Sequence, residues 1–219
     1  MTDRKAAPCG ASMASLLLLL LPAGADAAGD HGFQIEISGV LSKPFGSYST
    51  GEKAQDLFDL GGNAGVKLLF GMSRRFYLGA GVAYLRDRKD FTETAIMDIR
   101  PPAAVSGTRT LTAIPITGLA QVRSDTHRKL SGYVETGLGL TTFTWRLADF
   151  SDGREPDSDV QQTFSFLFGG GAVLALNRDW EVVAGLDYHQ SIARGGEVWN
   201  TWDDPKFALL SLGVRYPRW

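Results

Sequence analysis

The sequence predicts an all-β chain: an eight-stranded antiparallel up-and-down β-barrel that crosses a membrane with its strands. Three observations lead there. Apolar residues recur with a period of two along most of the chain, the period of a strand rather than of a helix. The segments that alternate in this way number eight, and the connections between them are alternately short and long. A chain of 219 residues is enough for one such barrel.

The first 27 residues stand apart. Arg4 and Lys5 give a cationic start, "MASLLLLLLPAGADA" supplies a short apolar run, and Ala25 to Ala27 form an A-x-A pattern. This is the layout of a secretory signal peptide, expected to be cut after Ala27, with residues 28–219 left as the barrel domain. The run is shorter than the ~20 apolar residues a membrane-spanning helix needs. Cys9 lies ahead of the run, so the exported chain would hold no cysteine. Backbone pairing and packing must then hold it together without disulfides.

The strands follow in order. The first, at about 33–42, begins on Phe33 and places Glu36 on its less apolar face; the second, 62–71, carries Lys67 on that face and ends near Phe70. "MSRR" at 72–75 is a short turn into the third, 76–85, framed by Phe76 and Tyr84. The fourth, 109–122, contains Pro115, which lacks a ladder N–H and is expected at a bulge. "SDTHRK" at 124–129 turns into the fifth, 131–145, with Glu135 on the less apolar face and an apparent switch of the apolar face near Thr141. Arg123, Arg128 and Lys129 around this turn are expected to form a solvated rim.

The sixth and seventh strands give the clearest alternation. Phe164, Phe166, Phe168, Gly170, Ala172, Leu174 and Leu176 share one face of 161–176, against Thr163, Ser165, Leu167, Gly169, Gly171 and Val173 on the other. "NRD" at 177–179 turns the chain back. Trp180, Val182, Ala184, Leu186 and Tyr188 then oppose Glu181, Val183, Gly185, Asp187 and His189 along 180–190. The eighth strand, 207–217, places Leu210, Leu212, Val214 and Tyr216 together, with Arg215 opposite. Long connections are expected at 43–61, 86–108, 146–160 and 191–206.

Alternate connections of a meander lie at the same end, so tight turns gather at one end and long loops at the other. That asymmetry, with strands of about 9–11 residues, is the pattern of a bacterial outer-membrane barrel. Aromatics fall near strand ends as interfacial girdles require: Phe33, Phe70, Phe76, Trp180, Tyr216 and Trp219 at the turn end, Tyr84, Trp145, Tyr188 and Phe207 at the loop end. A soluble lipocalin-like barrel also alternates, with its apolar face turned inward. The membrane reading is favoured because glycines and ionisable residues share the face opposite the greasy one. The 26 glycines, many inside apolar runs, suit a narrow lumen.

From Phe33 to Trp219 the chain resembles the small outer-membrane barrel family, the OmpA-type and OmpX-type porin-like proteins. The resemblance rests on "RRFYLGAGVAYL" after a tight turn and on a terminal strand "FALLSLGVRYPRW". It implies location in the outer membrane of a Gram-negative bacterium, lipids and lipopolysaccharide as surroundings, insertion by the barrel-assembly machinery, and a monomer. That machinery reads a last aromatic on the outward face of the final strand. Here Trp219 is off the face of Tyr216 and Pro217 intervenes, so either Tyr216 takes that place or the strand end is bulged.

Three candidate sites emerge. A lumen of eight strands is just wide enough for side chains to fill. Glu36, Lys67, Glu135 and Arg215 fall at similar heights on inward faces, and buried charges must be paired, so an interior ion-pair network of these four is expected. That network implies either a structural plug or a gate in a narrow channel for ions and small solutes. Secondly, "DYHQSIARGGEVWNTWD" partly resembles the lipid A deacylases of the outer membrane. The resemblance implies Ser191 as nucleophile, His189 as base and Asp203 as the group fixing its tautomer. Ile192 departs from that family's pattern, and parity turns His189 and Ser191 inward rather than to lipid. Thirdly, the long loops carry Trp199 and Trp202, candidate anchors for a surface partner.

A net charge of −2 without blocks of one sign gives no nucleic-acid surface. His31, His127 and His189 are far apart, and the glycines follow strand parity. Neither a metal site nor a cofactor is expected. The functional expectation is therefore a non-enzymatic barrel in envelope integrity or surface interaction, its lumen largely plugged.

Overall fold

Strands fold from these alternating segments because β-branched and aromatic residues dominate them and each sheet face meets its own environment. The computed structural model of the chain describes residues 32–45, 59–73, 75–95, 103–124, 129–149, 151, 157–192 and 206–218, without the side chains at 93–95, 103–105, 157, 159, 217 and 218. Its strands are β1 Phe33–Phe45, β2 Gly61–Gly71, β3 Phe76–Ala95, β4 Ala103–Arg123, β5 Leu130–Ala148, β6 Asp157–Ala175, β7 Glu181–Ile192 and β8 Lys206–Arg218. They pair in sequence order, all antiparallel, and β8 returns to β1 to close the barrel. Closure leaves no free edge along the paired lengths, as a hydrocarbon surround demands.

The register fixes the barrel's tilt. Following paired residues round from Ile35 through Leu68, Ala80, Gly118, Leu138, Phe166, Gln190 and Lys206 returns to β1 at Phe45, ten residues further along. Such a stagger requires strands inclined to the axis by about 35–45°. Tight turns sit at one end. Asn177 Oδ1 accepts from the N–H of Asp179 and of Trp180 at 2.8 and 2.9 Å, an Asx turn between β6 and β7.

Greasy side chains point outward. Leu212, Leu186 and Phe168 are 65%, 63% and 62% exposed, whereas Glu36 and Arg215 on the opposite face are 1% and 0%. A coat of this kind is stable only where its surround is itself apolar, so orientation and membrane placement are one statement. At the turn end, Phe33 packs on Phe70 with ring centroids 5.1 Å apart and Trp180 on Tyr216 at 5.3 Å. Tyr84, outward and 47% exposed, marks the opposite boundary.

Several expectations are corrected. The connection expected at 86–108 is mostly strand: β3 and β4 pair from Leu85↔Ala113 up to Ala95↔Ala103, a hairpin standing beyond Tyr84. Strand also takes the flanks of the connection expected at 146–160. Outside the membrane neither face need be greasy, so the alternation that marked the other strands fades while threonine-rich pairing continues. Pro115 causes no bulge. The β3–β4 ladder skips the pairs between Val82↔Ile116 and Leu85↔Ala113, yet the register is the same on both sides. One missing N–H is tolerated because the flanking pairs hold the strands.

No change of backbone parity occurs at Thr141, since β5 keeps one register along β4 and along β6. What changes is the surround. Below Thr141 the apolar residues, Val134, Leu138 and Leu140, are outside; above it Phe143 is inside and buried. Trp145 and Phe207 likewise face the lumen, packed with Phe143, and are not girdle residues. β8 pairs with β1 in one register through Gln34↔Pro217 and Phe33↔Arg218, so the strand end is not bulged over this length. Trp219, like residues 1–27, lies outside the described residues.

Candidate functional site in the barrel lumen

The lumen is filled in two tiers. The lower tier, towards the turns, is ionic. Arg215 on β8 donates from Nη2 and Nε to Glu36 Oε2 on β1, at 2.6 and 3.1 Å, and from Nη1 to Gln34 Oε1 at 3.4 Å. Its Nη1 is also 3.9 Å from Glu181 on β7. Across the lumen Arg123 on β4 grips the same Glu181 through both guanidinium nitrogens, at 2.9 and 3.3 Å, and donates to Ser131 Oγ at 3.2 Å. This fork-on-fork geometry is the strongest form of the pair.

A second group lies alongside. Lys67 on β2 pairs with Glu135 on β5, and its Nζ is 3.6 Å from Asp187 Oδ2 on β7. Gln121 Nε2 donates to the other oxygen of Glu135 at 3.0 Å. Aromatic faces complete the tier: the Arg215 guanidinium is 5.8 Å from the Tyr133 ring centroid and that of Arg123 is 6.0 Å from Tyr77. Desolvated charges at such sites are costly unless paired, and Lys67, Arg123 and Arg215 each have a carboxylate partner.

Glycines provide the room. Gly169 pairs with Asp187, and a Cβ at Gly169 would run into the Asp187 carboxylate. A Cβ at Gly185 would strike the Tyr133 hydroxyl and lie 2.8 Å from Ser211 Oγ. At these two inward positions glycine is required by a narrow lumen stacked with long polar side chains.

The upper tier is apolar. Val40, Leu85, Leu111, Ala113, Phe143, Phe207 and Leu209 form one buried cluster, with Phe143 and Phe207 stacked at 6.0 Å. Between the tiers a cavity of about 40 Å³ is lined by Ser38, Lys67, Pro115, Asp187, His189 and Ser211, among others.

The four residues expected to form the network are all inside, but as two pairs, Glu36 with Arg215 and Lys67 with Glu135. Glu181, Asp187, Arg123, Gln34 and Gln121 belong to it as well. Arg123, expected in a solvated rim, is 3% exposed and bridges the lumen to Glu181. Its nearness to a turn suggested solvent, whereas parity with Gln121 places it inward. Lys129 is exposed as expected, and Arg128 lies outside the described residues.

Ser191 and His189 are both fully buried on the inner face of β7. His189 Nε2 lies 3.0 Å from Thr141 Oγ1, which donates to Ser165 Oγ at 2.9 Å. The imidazole nitrogen Nε2 is thus engaged by Thr141, and no hydrogen bond joins His189 to Ser191. Asp203, Trp199 and Trp202 lie outside the described residues. Among the described residues no cluster of three metal-binding side chains occurs.

No curated protein is a significant match to the chain. Among solved structures, Neisserial surface protein A aligns with a TM-score of 0.56 at 16% identity, covering 84% of this chain and 96% of that one. OprG of Pseudomonas aeruginosa, an outer membrane protein, aligns with a TM-score of 0.51 at 13% identity, covering 85% and 95%. At such identities the likeness is one of fold. The family model for the outer membrane protein beta-barrel domain matches residues 13–217. With that match, the outward apolar coat and the closed eight-stranded meander, the chain belongs to the outer-membrane β-barrel family, and its place is the outer membrane.

Proposed function

We propose that this protein is a closed wall element of the outer membrane, non-enzymatic and monomeric, serving envelope integrity with its loop end as a surface-contact region. One observation carries the reading: the lumen is stoppered twice, by an ionic tier that ties six of the eight strands together and by an apolar tier above it. A conduit needs a continuous polar path, and a stack of Phe143 on Phe207 across the lumen opposes one. Cross-lumen charge pairs suit a load-bearing role, because they link strands that share no backbone ladder: Arg123 joins β4 to β7, and Lys67 joins β2 to β5.

Planar-bilayer recording tests the reading. The wild-type chain and the K67M and R215M variants are each expected to give no discrete conductance steps. Steps in the wild type that change in amplitude or open time in either variant would instead mean that the ionic tier is the gate of a narrow channel.

A further inference from the structure

We propose that the outer wall of β3, β4 and β5, just beyond the membrane boundary, is a binding site for the phosphate groups of an outer-leaflet glycolipid, built from Arg86, Arg88 and Arg146. The proposal rests on the outer-membrane placement of the barrel and not on its being closed.

On three adjacent strands the outward face changes character at one height. Among the described side chains, Tyr84, Ile114 and Leu140 are the last exposed large apolar residues towards the loop end of β3, β4 and β5. Beyond them the outward positions are Arg86 and Arg88 on β3, Thr112, Thr110 and Thr108 on β4, and Thr142, Thr144 and Arg146 on β5. Register sets these residues side by side. Arg88, Thr110 and Arg146 form one row across the three strands, and Arg86, Thr112 and Thr144 form the next. Three guanidinium groups therefore flank a floor of threonine hydroxyls.

The height decides the occupant. Arg86 is two residues past Tyr84, about 7 Å along the strand, which puts its guanidinium among lipid headgroups rather than acyl chains. Charge decides the chemistry. Among the described residues Arg86 and Arg146 have no carboxylate partner. Arg88 has Asp90 and Asp149 at 3.8 and 4.0 Å, and its side chain is still 57% exposed. Guanidinium groups arranged beside hydroxyls match the planar, multidentate demands of phosphate. A phosphorylated saccharide lipid of the lipopolysaccharide type presents such groups at this depth, tethered by chains that would lie against the apolar wall below.

The test uses the full chain in detergent, with bound lipid A counted by native mass spectrometry. Its arms are phosphorylated lipid A, the same lipid with its phosphates removed, and phosphorylated lipid A with inorganic phosphate as competitor. The expected result is binding of the phosphorylated lipid only, weakened about tenfold in R86Q/R88Q/R146Q, a loss equal to roughly 1.4 kcal/mol, and partly restored in R86K/R88K/R146K. Folding of each variant is checked by heat-modified mobility on a gel. If the triple glutamine variant does not fold, R86Q and R146Q singly carry the measurement, each expected to weaken binding. Equal binding by the glutamine variants, or equal binding of the dephosphorylated lipid, would overturn the proposal. Displacement of the lipid by millimolar inorganic phosphate would also overturn it, since the site would then be one for a free anion.

Discussion

Arg215 and Glu36 meet twice across the seam that closes the barrel. They are backbone register partners on β8 and β1, and their side chains form a 2.6 Å ion pair inside the lumen. The last strand is thus locked to the first by charge as well as by ladder. R215M removes the cation and leaves the Glu36 carboxylate without its ion-pair partner in a desolvated space, while Glu181 keeps Arg123. The expected cost is about 3–5 kcal/mol, read as a lower midpoint in urea unfolding from vesicles. Adding E36Q to R215M is expected to recover part of that loss, because the uncompensated charge is then reduced.

Phe207 belongs to the apolar upper tier. F207A removes a fully buried ring stacked on Phe143 and is expected to cost about 3–5 kcal/mol. Planar-bilayer recording of F207A is nevertheless expected to give no conductance steps, since the ionic tier remains. Steps at the wild-type folding level would show that the apolar tier alone closes the lumen.

Ser191 provides the test of catalysis. Ser191 is buried in the lumen, and His189 Nε2 meets Thr141 rather than Ser191. Lipid A from cells expressing the wild-type chain and from cells expressing S191A is expected to have the same acyl-chain masses. Loss of one acyl chain with the wild type but not with S191A would establish a hydrolase.

Legibility in the sequence followed the membrane. Where strands cross lipid, one face must be greasy and the other small or ionic, and residues such as Phe164 to Leu176 declare their strand and its orientation by parity alone. Beyond Tyr84 that constraint lapses, and "RDRKD" looks like loop although it pairs as strand with 108–112. The same lapse lets the apolar residues of β5 change face at Thr141, from the outer coat below it to the lumen above it. Lumenal partners were legible only in kind. Parity shows that Glu36, Lys67, Glu135 and Arg215 point inward, but which cation meets which carboxylate depends on stagger and tilt, quantities no single strand contains. Arg123 stands beside a turn, where sequence alone suggests solvent, and only the folded barrel brings it to Glu181 across the lumen.

The central claim is that greasy side chains coat the barrel while the charged ones line it. Single cysteines at Leu186 and Leu212, and at Ser165 and Ser211, exposed to a maleimide dissolved in the acyl region of vesicles holding the folded chain, test it most directly. The account predicts rapid labelling at L186C and L212C and almost none at S165C and S211C. Rapid labelling at S165C and S211C, with L186C and L212C protected, would contradict it.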